Sequence, residues 1–341
     1  MHVPFSPDRR IRIGLFSGLG ALIILAFGLG AIGHQNVAGV TAAWWHKQFG
    51  PPPPPSPPPV FEPTFQNVAY GPAPSQQLDF WQARSERPTP VVVFFHGGGF
   101  VGGDKTFLWP QGDVMGICRN AGVSVVSVNY RFCNSAPLSE ILHDATRAIQ
   151  FLRSQAGEWN LDKARIAVYG ESAGAGMALY TAAHDDVAVP DSPDPVLRES
   201  SRVCAVGVLD GQFSYNFPLW ESVIGPYPDQ NNKPKWEFYY WQIPGVDPAT
   251  PRLRALLDDG DLRAQLSAGD PPIFLYASQK FGPATSHDHY LHHPQHAVAL
   301  QEKCKQVGIE SELVLEDSPT PPVLPRNELV LGFLLNNLGV Y

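Results

Sequence analysis

From residue 61 onward, short runs of consecutive apolar residues alternate with stretches in which apolar positions recur every three or four residues. Val91-Val92-Val93-Phe94-Phe95 is apolar throughout and built from β-branched and aromatic residues, the pattern of a strand buried on both faces. Runs of the same kind at 123–128, 166–169, 203–209 and 273–276 predict further buried strands, and 312–315 predicts one more. Between the second and third, residues 138–154 place Ile141, Leu142, Ala145, Ala148, Ile149 and Leu152 at helical spacing, and 253–266 and 294–307 also read as helices. Strands separated by helix-sized segments give right-handed βαβ units. The expected fold class is therefore α/β, a mostly parallel central sheet flanked by helices over 61–341. Residues 65–70 and 78–81 read as edge strands. The aromatic- and proline-rich stretch 213–241 has no clear period and reads as a lid or insertion. No internal repeat is visible.

The pattern before residue 61 is different. Residues 13–33 form an uncharged run, IGLFSGLGALIILAFGLGAIG. As a helix rising 1.5 Å per residue it would cross the roughly 30 Å hydrocarbon core of a bilayer. Arg9, Arg10 and Arg12 precede it and only Lys47 follows shortly after, so the positive-inside rule places residues 1–12 in the cytoplasm and the rest of the chain outside it. The alternative is a cleaved signal peptide and a secreted domain, with small residues at Val40-Thr41-Ala42. Against that, the run exceeds the usual apolar region of about 7–15 residues. Residues 34–60 read as a linker carrying PPPPPSPPP at 51–59, a stiff polyproline II spacer or a ligand for a proline-binding domain.

Composition narrows the class. The 341 residues carry a formal net charge of −8, with 24 Lys and Arg against 32 Asp and Glu, which argues against a phosphate-tracking surface and hence against nucleic acid as a partner. At 44% hydrophobic, with 31 Gly and 35 Pro, the chain is ordinary for a packed domain. Its four cysteines are too scattered for a disulfide framework and lack zinc-ligand spacing, although one pair could close in an oxidising compartment.

Two motifs carry the candidate chemistry. Gly170-Glu171-Ser172-Ala173-Gly174 directly follows the 166–169 strand and precedes a helix-forming run. The pattern G-x-S-x-G needs small residues because its serine sits on a tight strand-to-helix turn, with the helix N-terminus directing free N–H groups at a nearby oxyanion. His96-Gly97-Gly98-Gly99-Phe100 ends the first apolar strand, and its glycines let backbone N–H groups turn inward towards a reacting carbonyl oxygen.

With both motifs in place the chain resembles the α/β-hydrolase fold and, within it, the carboxylesterase and hormone-sensitive-lipase-like group that carries an HGGG loop. Asn129-Tyr130-Arg131, Asp144 and Asp162-Lys163-Ala164-Arg165-Ile166 extend the match, as do Asp270-Pro271-Pro272 and the segment around Asp288-His289-Tyr290-Leu291-His292-His293-Pro294. The resemblance implies Ser172 as nucleophile, the N–H groups of Gly98, Gly99 and Ala173 as the oxyanion hole, and Asp288 as the acid of a triad. Asp210, at the end of a strand, is a second candidate acid. The group places its histidine after the last strand, where this chain reads Asp317-Ser318-Pro319-Thr320-Pro321-Pro322, and no histidine follows His296. His96 belongs to the glycine loop, and His143 and His184 read as helix residues. His287, His289, His292, His293 and His296 surround Asp288, where one could act as a displaced base, while His292 and His293 read most simply as the start of the helix that follows. A metal site there lacks a ligand pair from a second segment, so no metal or cofactor is expected.

Two functions remain at this level. One is a serine-dependent hydrolase of small acyl esters, with a small-molecule ester as its partner and the membrane as its anchor. The other is a catalytically impaired protein of the same fold that uses the pocket for binding.

Overall fold

The computed structural model describes residues 61–234, 240 and 251–340. The membrane helix expected at 13–33, the proline-rich linker and the sidedness drawn from them lie outside the described residues. Among the described residues no helix is long and apolar enough to cross a membrane.

The chain opens with β1 (Phe65–Ala69), β2 (Gln77–Trp81) and β3 (Thr89–Phe95), followed by α1 (Gly112–Asn120), β4 (Ser124–Val128) and α2 (Leu138–Ser154). Next come β5 (Leu161–Glu171), α3 (Ala173–Ala183) and β6 (Ala205–Leu209), then α4 (Trp220–Ile224), α5 (Pro251–Asp259) and α6 (Leu262–Gln265). The last part holds β7 (Ile273–Ala277), α7 (His287–Leu291), α8 (Gln295–Val307), β8 (Ser311–Leu315) and α9 (Arg326–Asn337).

Eight strands form one sheet in the order β1-β2-β4-β3-β5-β6-β7-β8. The β1–β2 and β2–β4 pairs are antiparallel and every other pair is parallel. Alternate residues of β3 serve opposite faces: Val91, Val93 and Phe95 pack with α2, α3 and α8, while Val92 and Phe94 pack with α1 and α9. Each such fully buried side chain contributes about 1.5–3 kcal/mol.

Register then fixes where the motifs meet. Phe95 lies opposite Gly170, Glu171 opposite Leu209, and Leu209 opposite Tyr276. The residues that follow β3, β5, β6 and β7 therefore emerge side by side at the carboxyl end of the sheet, the usual ligand-binding edge of such folds.

Several expectations are corrected here. The strand at 78–81 is not an edge, because β2 is paired on both sides; of the two expected edge strands, β1 alone lies outermost. The helix expected at 253–266 is broken in two at Gly260, whose carbonyl accepts the N–H of Tyr215 at 2.6 Å, while the Asp261 carboxylate caps the second piece through the N–H of Ala264. Helices α1 and α9 carry no clear sequence pattern. Two glycines weaken the helical signal of α1, and the middle of α9 is apolar at every position from 329 to 335 except Gly332, so a buried side appears only when Val330, Leu331, Leu334 and Leu335 meet the sheet.

The stretch from 213 is an insertion between β6 and β7. As far as it is described, its aromatics Phe213, Phe217 and Trp220 are buried rather than presented to solvent. None of the four cysteines is joined in a disulfide.

Candidate active site

Ser172 lies between the end of β5 and the first residue of α3, with φ 54° and ψ −117°. A non-glycine residue rarely adopts a positive φ, at a cost of about 1–3 kcal/mol, and here the surroundings enforce it. A Cβ on Gly174 would stand 2.0 Å from the carbonyl oxygen of Phe95, so only glycine lets α3 begin this close to β3. The Ser172 N–H donates to the Leu209 carbonyl at 2.9 Å, fixing the turn against β6.

The glycine loop faces this turn. A Cβ on Gly97 would lie 3.1 Å from the Glu171 carbonyl oxygen and 3.6 Å from Ser172 Cβ, so the loop and the elbow leave no free space between them for a side chain. Gly98 has φ 124°, and its carbonyl turns away to accept the N–H groups of Val101 at 3.0 Å and Gly102 at 3.2 Å. Among the described residues, the N–H groups of Gly98, Gly99 and Ala173 have no main-chain acceptor. His96 supports the loop: its ring stacks on Tyr130 at 4.5 Å, and Nδ1–H donates to the Gly97 carbonyl at 2.7 Å. Burial pushes the His96 imidazole down to about 4, so it stays neutral.

The histidine beside the serine is His292. Its Nε2 is 2.9 Å from Ser172 Oγ, and its Nδ1 is 3.1 Å from Asp288 Oδ1. Asp288 lies in α7, and the His292 N–H donates to the Asp288 carbonyl at 3.0 Å, continuing the helical turn. Residues four apart on such a turn share a face, which is why acid and base can come from one pentapeptide. Ser286 starts the turn by accepting the N–H of His289 on its hydroxyl at 3.0 Å.

A carboxylate only accepts, so Nδ1 carries the proton and Nε2 is left to accept from the serine hydroxyl. Burial lowers the proton affinity of His292, but the bond and charge of Asp288, with the charges of Asp210 and Glu171, outweigh it and hold the imidazole above its usual range. The same bond from His292 is the main reason the Asp288 carboxyl titrates below the usual range.

The structure thus brings Asp288 and His292 to Ser172 and sets the glycine loop, through Gly97, beside the elbow that Ser172 shares with Ala173. Asp210 does not join His292: its Oδ1 accepts the N–H and the hydroxyl of Ser278 at 2.7 and 2.9 Å, and burial raises its pKa. The reading of His292 as merely the start of the next helix is corrected, since α8 begins at Gln295 and the His292 ring turns to the serine.

The neighbouring histidines do other work. His287 pairs with the Tyr227 hydroxyl at 3.0 Å. His289 and His293 donate to the carbonyls of Lys280 and Gly282, both at 2.8 Å, and His296 is buried against the Tyr290 carbonyl. The signal for His292 in the sequence is the four-residue spacing D-x-x-x-H after β7. The expectation of a histidine after β8 hides it.

Aromatic side chains border the glycine loop. Phe100 meets Tyr215 edge-on at 5.4 Å and Phe217 stacks on Tyr240 at 5.3 Å, while the Tyr240 hydroxyl lies 3.9 Å from where a Cβ on Gly99 would stand. A separate cavity of about 610 Å³ lies beside α7, lined by Tyr227, Phe281 and His293 among others, and does not include Ser172.

The BD-FAE family model matches residues 78–214, which span the glycine loop and the elbow. The carboxylic ester hydrolase LipN of Mycobacterium tuberculosis is 30% identical over 200 residues, covering 54% of this chain and 49% of LipN. A probable isoprenylcysteine alpha-carbonyl methylesterase of Arabidopsis thaliana is 28% identical over 151 residues, 44% of this chain and 31% of its own length. The chain thus spans a third to a half of these relatives.

Among solved structures, a truncated carbohydrate esterase from gut microbiota matches with a TM-score of 0.63 at 16% identity, over 83% of this chain and 100% of that one. The Thermogutta terrifontis esterase Est2 matches with a TM-score of 0.55 at 20% identity, over 83% and 94%. Strand order, elbow and these likenesses agree that the chain carries the α/β-hydrolase fold.

Proposed function

We propose that the protein is a serine-dependent carboxylic ester hydrolase acting on small acyl esters. The observation that carries the reading is the continuous array from Ser172 Oγ to His292 Nε2 at 2.9 Å and from His292 Nδ1 to Asp288 at 3.1 Å. A serine hydroxyl is a poor nucleophile until an adjacent base takes its proton, and this array supplies that base and an acid to orient it.

In this reading Ser172 Oγ attacks the ester carbonyl as His292 Nε2 takes the hydroxyl proton, and Asp288 stabilises the imidazolium. The N–H groups of Gly98, Gly99 and Ala173 receive the negative oxygen of the tetrahedral intermediate. His292 then gives its proton to the leaving alcohol. A water molecule, deprotonated in turn by His292, attacks the acyl-enzyme, releasing the carboxylic acid and restoring Ser172. The esterase relatives and the aromatic border of the glycine loop favour small acyl groups on an apolar wall. The same proposal holds the domain to the membrane through residues 13–33, on the far side from the cytoplasm, on the strength of the uncharged run and the arginines before it. Protease access to the domain in sealed vesicles of either orientation tests that part.

The test of the chemistry is labelling by a fluorophosphonate at neutral pH and turnover of p-nitrophenyl acetate. Both are expected in the wild type and lost in Ser172→Ala. Absence of both in the wild type would overturn the reading in favour of a binding protein.

A further inference from the structure

Asp288 is not the only carboxylate whose charge acts on His292. Glu171, next to the serine, and Asp210, at the end of β6, also raise the proton affinity of the imidazole. Left alone, they would compete with Asp288 for the imidazolium and hold the base protonated, unable to accept from Ser172.

Both are met by one cation. Arg326, the first residue of α9, lies 155 positions from Glu171 in sequence yet grips it with two nitrogens, at 3.1 Å to Oε1 and 3.2 Å to Oε2. The same guanidinium is 3.9 Å from Asp210 Oδ2, while the other oxygen of Asp210 is occupied by Ser278. A two-pronged guanidinium–carboxylate pair fixes geometry as well as charge. Among the described residues no Lys or Arg pairs with Asp288, which directs an oxygen at His292 Nδ1.

We propose that Arg326 is a positioning residue for the Ser172–His292–Asp288 array: it neutralises Glu171 and Asp210, reserves the imidazolium for Asp288 and so keeps the base free near neutral pH. The proposal rests on the ester-hydrolase reading above. Among the described residues, His287 in α7 and His296 in α8 also interact with the His292 charge. Burial holds both of these imidazoles below the usual range, so they add no competing positive charge near neutral pH.

The experiment compares the full-length wild type, Arg326→Gln, Arg326→Lys, Glu171→Gln and the double variant Arg326→Gln/Glu171→Gln. The readouts are the acid limb of kcat/KM against pH and the titration of the His292 ring by NMR of labelled histidine, with the signal assigned by His292→Asn. In Arg326→Gln both midpoints are expected to rise by about one unit. The double variant, which removes the exposed carboxylate as well, should return most of the way, and Arg326→Lys should stay near wild type.

A midpoint unmoved in Arg326→Gln while the variant retains its cooperative thermal unfolding would overturn the proposal. If Arg326→Gln does not fold, Glu171→Gln decides. It leaves the guanidinium in excess and should lower the midpoint, and an unmoved midpoint there is equally fatal. A chain that turns over no ester at all would refute the hydrolase reading, while the NMR titration would still report whether Arg326 governs His292.

Discussion

His292 Nε2 stands 2.9 Å from Ser172 Oγ, although 120 positions separate them and the histidine leaves the sheet after β7 rather than after β8. The partner of His292, Asp288, is supplied by the same helical turn. One helical turn therefore carries both side chains, and none of these three residues follows β8.

If His292 is the base, its loss should be as damaging as loss of the nucleophile, because the two act together. We expect Ser172→Ala and His292→Ala each to lower kcat about 10³-fold or more, and the double variant to fall little further. His289→Ala and His293→Ala, whose rings serve carbonyls of the 278–286 loop, should retain most activity. Initial rates on p-nitrophenyl acetate across this set check the assignment. A full rate in His292→Ala would exclude it.

The pH profile follows from the charge around that imidazole. If His292 is the base, it works only when neutral, so kcat/KM is expected to fall as pH drops through its pKa. The pKa is held above its ordinary 6.5, so the acid limb should have its midpoint above that value. Asp288→Asn removes the main source of the rise, and its midpoint should move down while the plateau rate drops about 10²–10⁴-fold. A stopped assay over pH 5 to 9 separates the two effects.

Two buried neutral histidines predict an acid-labile fold. His96 and His296 titrate at about 4 and about 3 in the folded chain because burial disfavours the cation. Unfolded, each would bind a proton near 6.5. Their contribution is present above that pH and is lost as pH falls below it, because the unfolded state then binds more protons. At pH 5 the loss is about 2 kcal/mol for each. Urea unfolding at pH 7 and pH 5 should show it, and His296→Gln should reduce the difference by about 2 kcal/mol.

The elbow is also a packing joint. Gly174→Ala places a methyl 2.0 Å from the Phe95 carbonyl oxygen, a backbone atom with no room to yield. Destabilisation of about 3 kcal/mol is expected, with loss of activity as the glycine loop is pushed from Ser172. Gly112→Ala, where a Cβ meets nothing within 4 Å, is the control and should be near neutral. Thermal unfolding of the pair makes the comparison.

How much of this could be read in advance depends on the range of the interaction. The buried strands are legible because a run such as Val91–Phe95 is apolar on both faces, which few other structures allow. The elbow and the glycine loop are legible because backbone requirements there demand glycine at set offsets, so Ser172 and the loop beside it carry their own local signature. Helix α9 is not, since its middle, apolar at every position from 329 to 335 except Gly332, shows no preferred face until the sheet selects one. Nor is the base, because any of five histidines around Asp288 satisfies a local rule.

What the chain alone determined, then, is the class of fold, the elbow that carries Ser172 and the glycine loop beside it, all properties of contiguous residues. Only the tertiary structure decided which histidine serves Ser172, that Asp210 turns to Ser278 instead, and that Arg326 closes on Glu171. Those choices follow from strand register. It brings residues after β3, β5, β6 and β7 to one edge of the sheet, and no pattern within a single segment records which neighbours the other segments will supply.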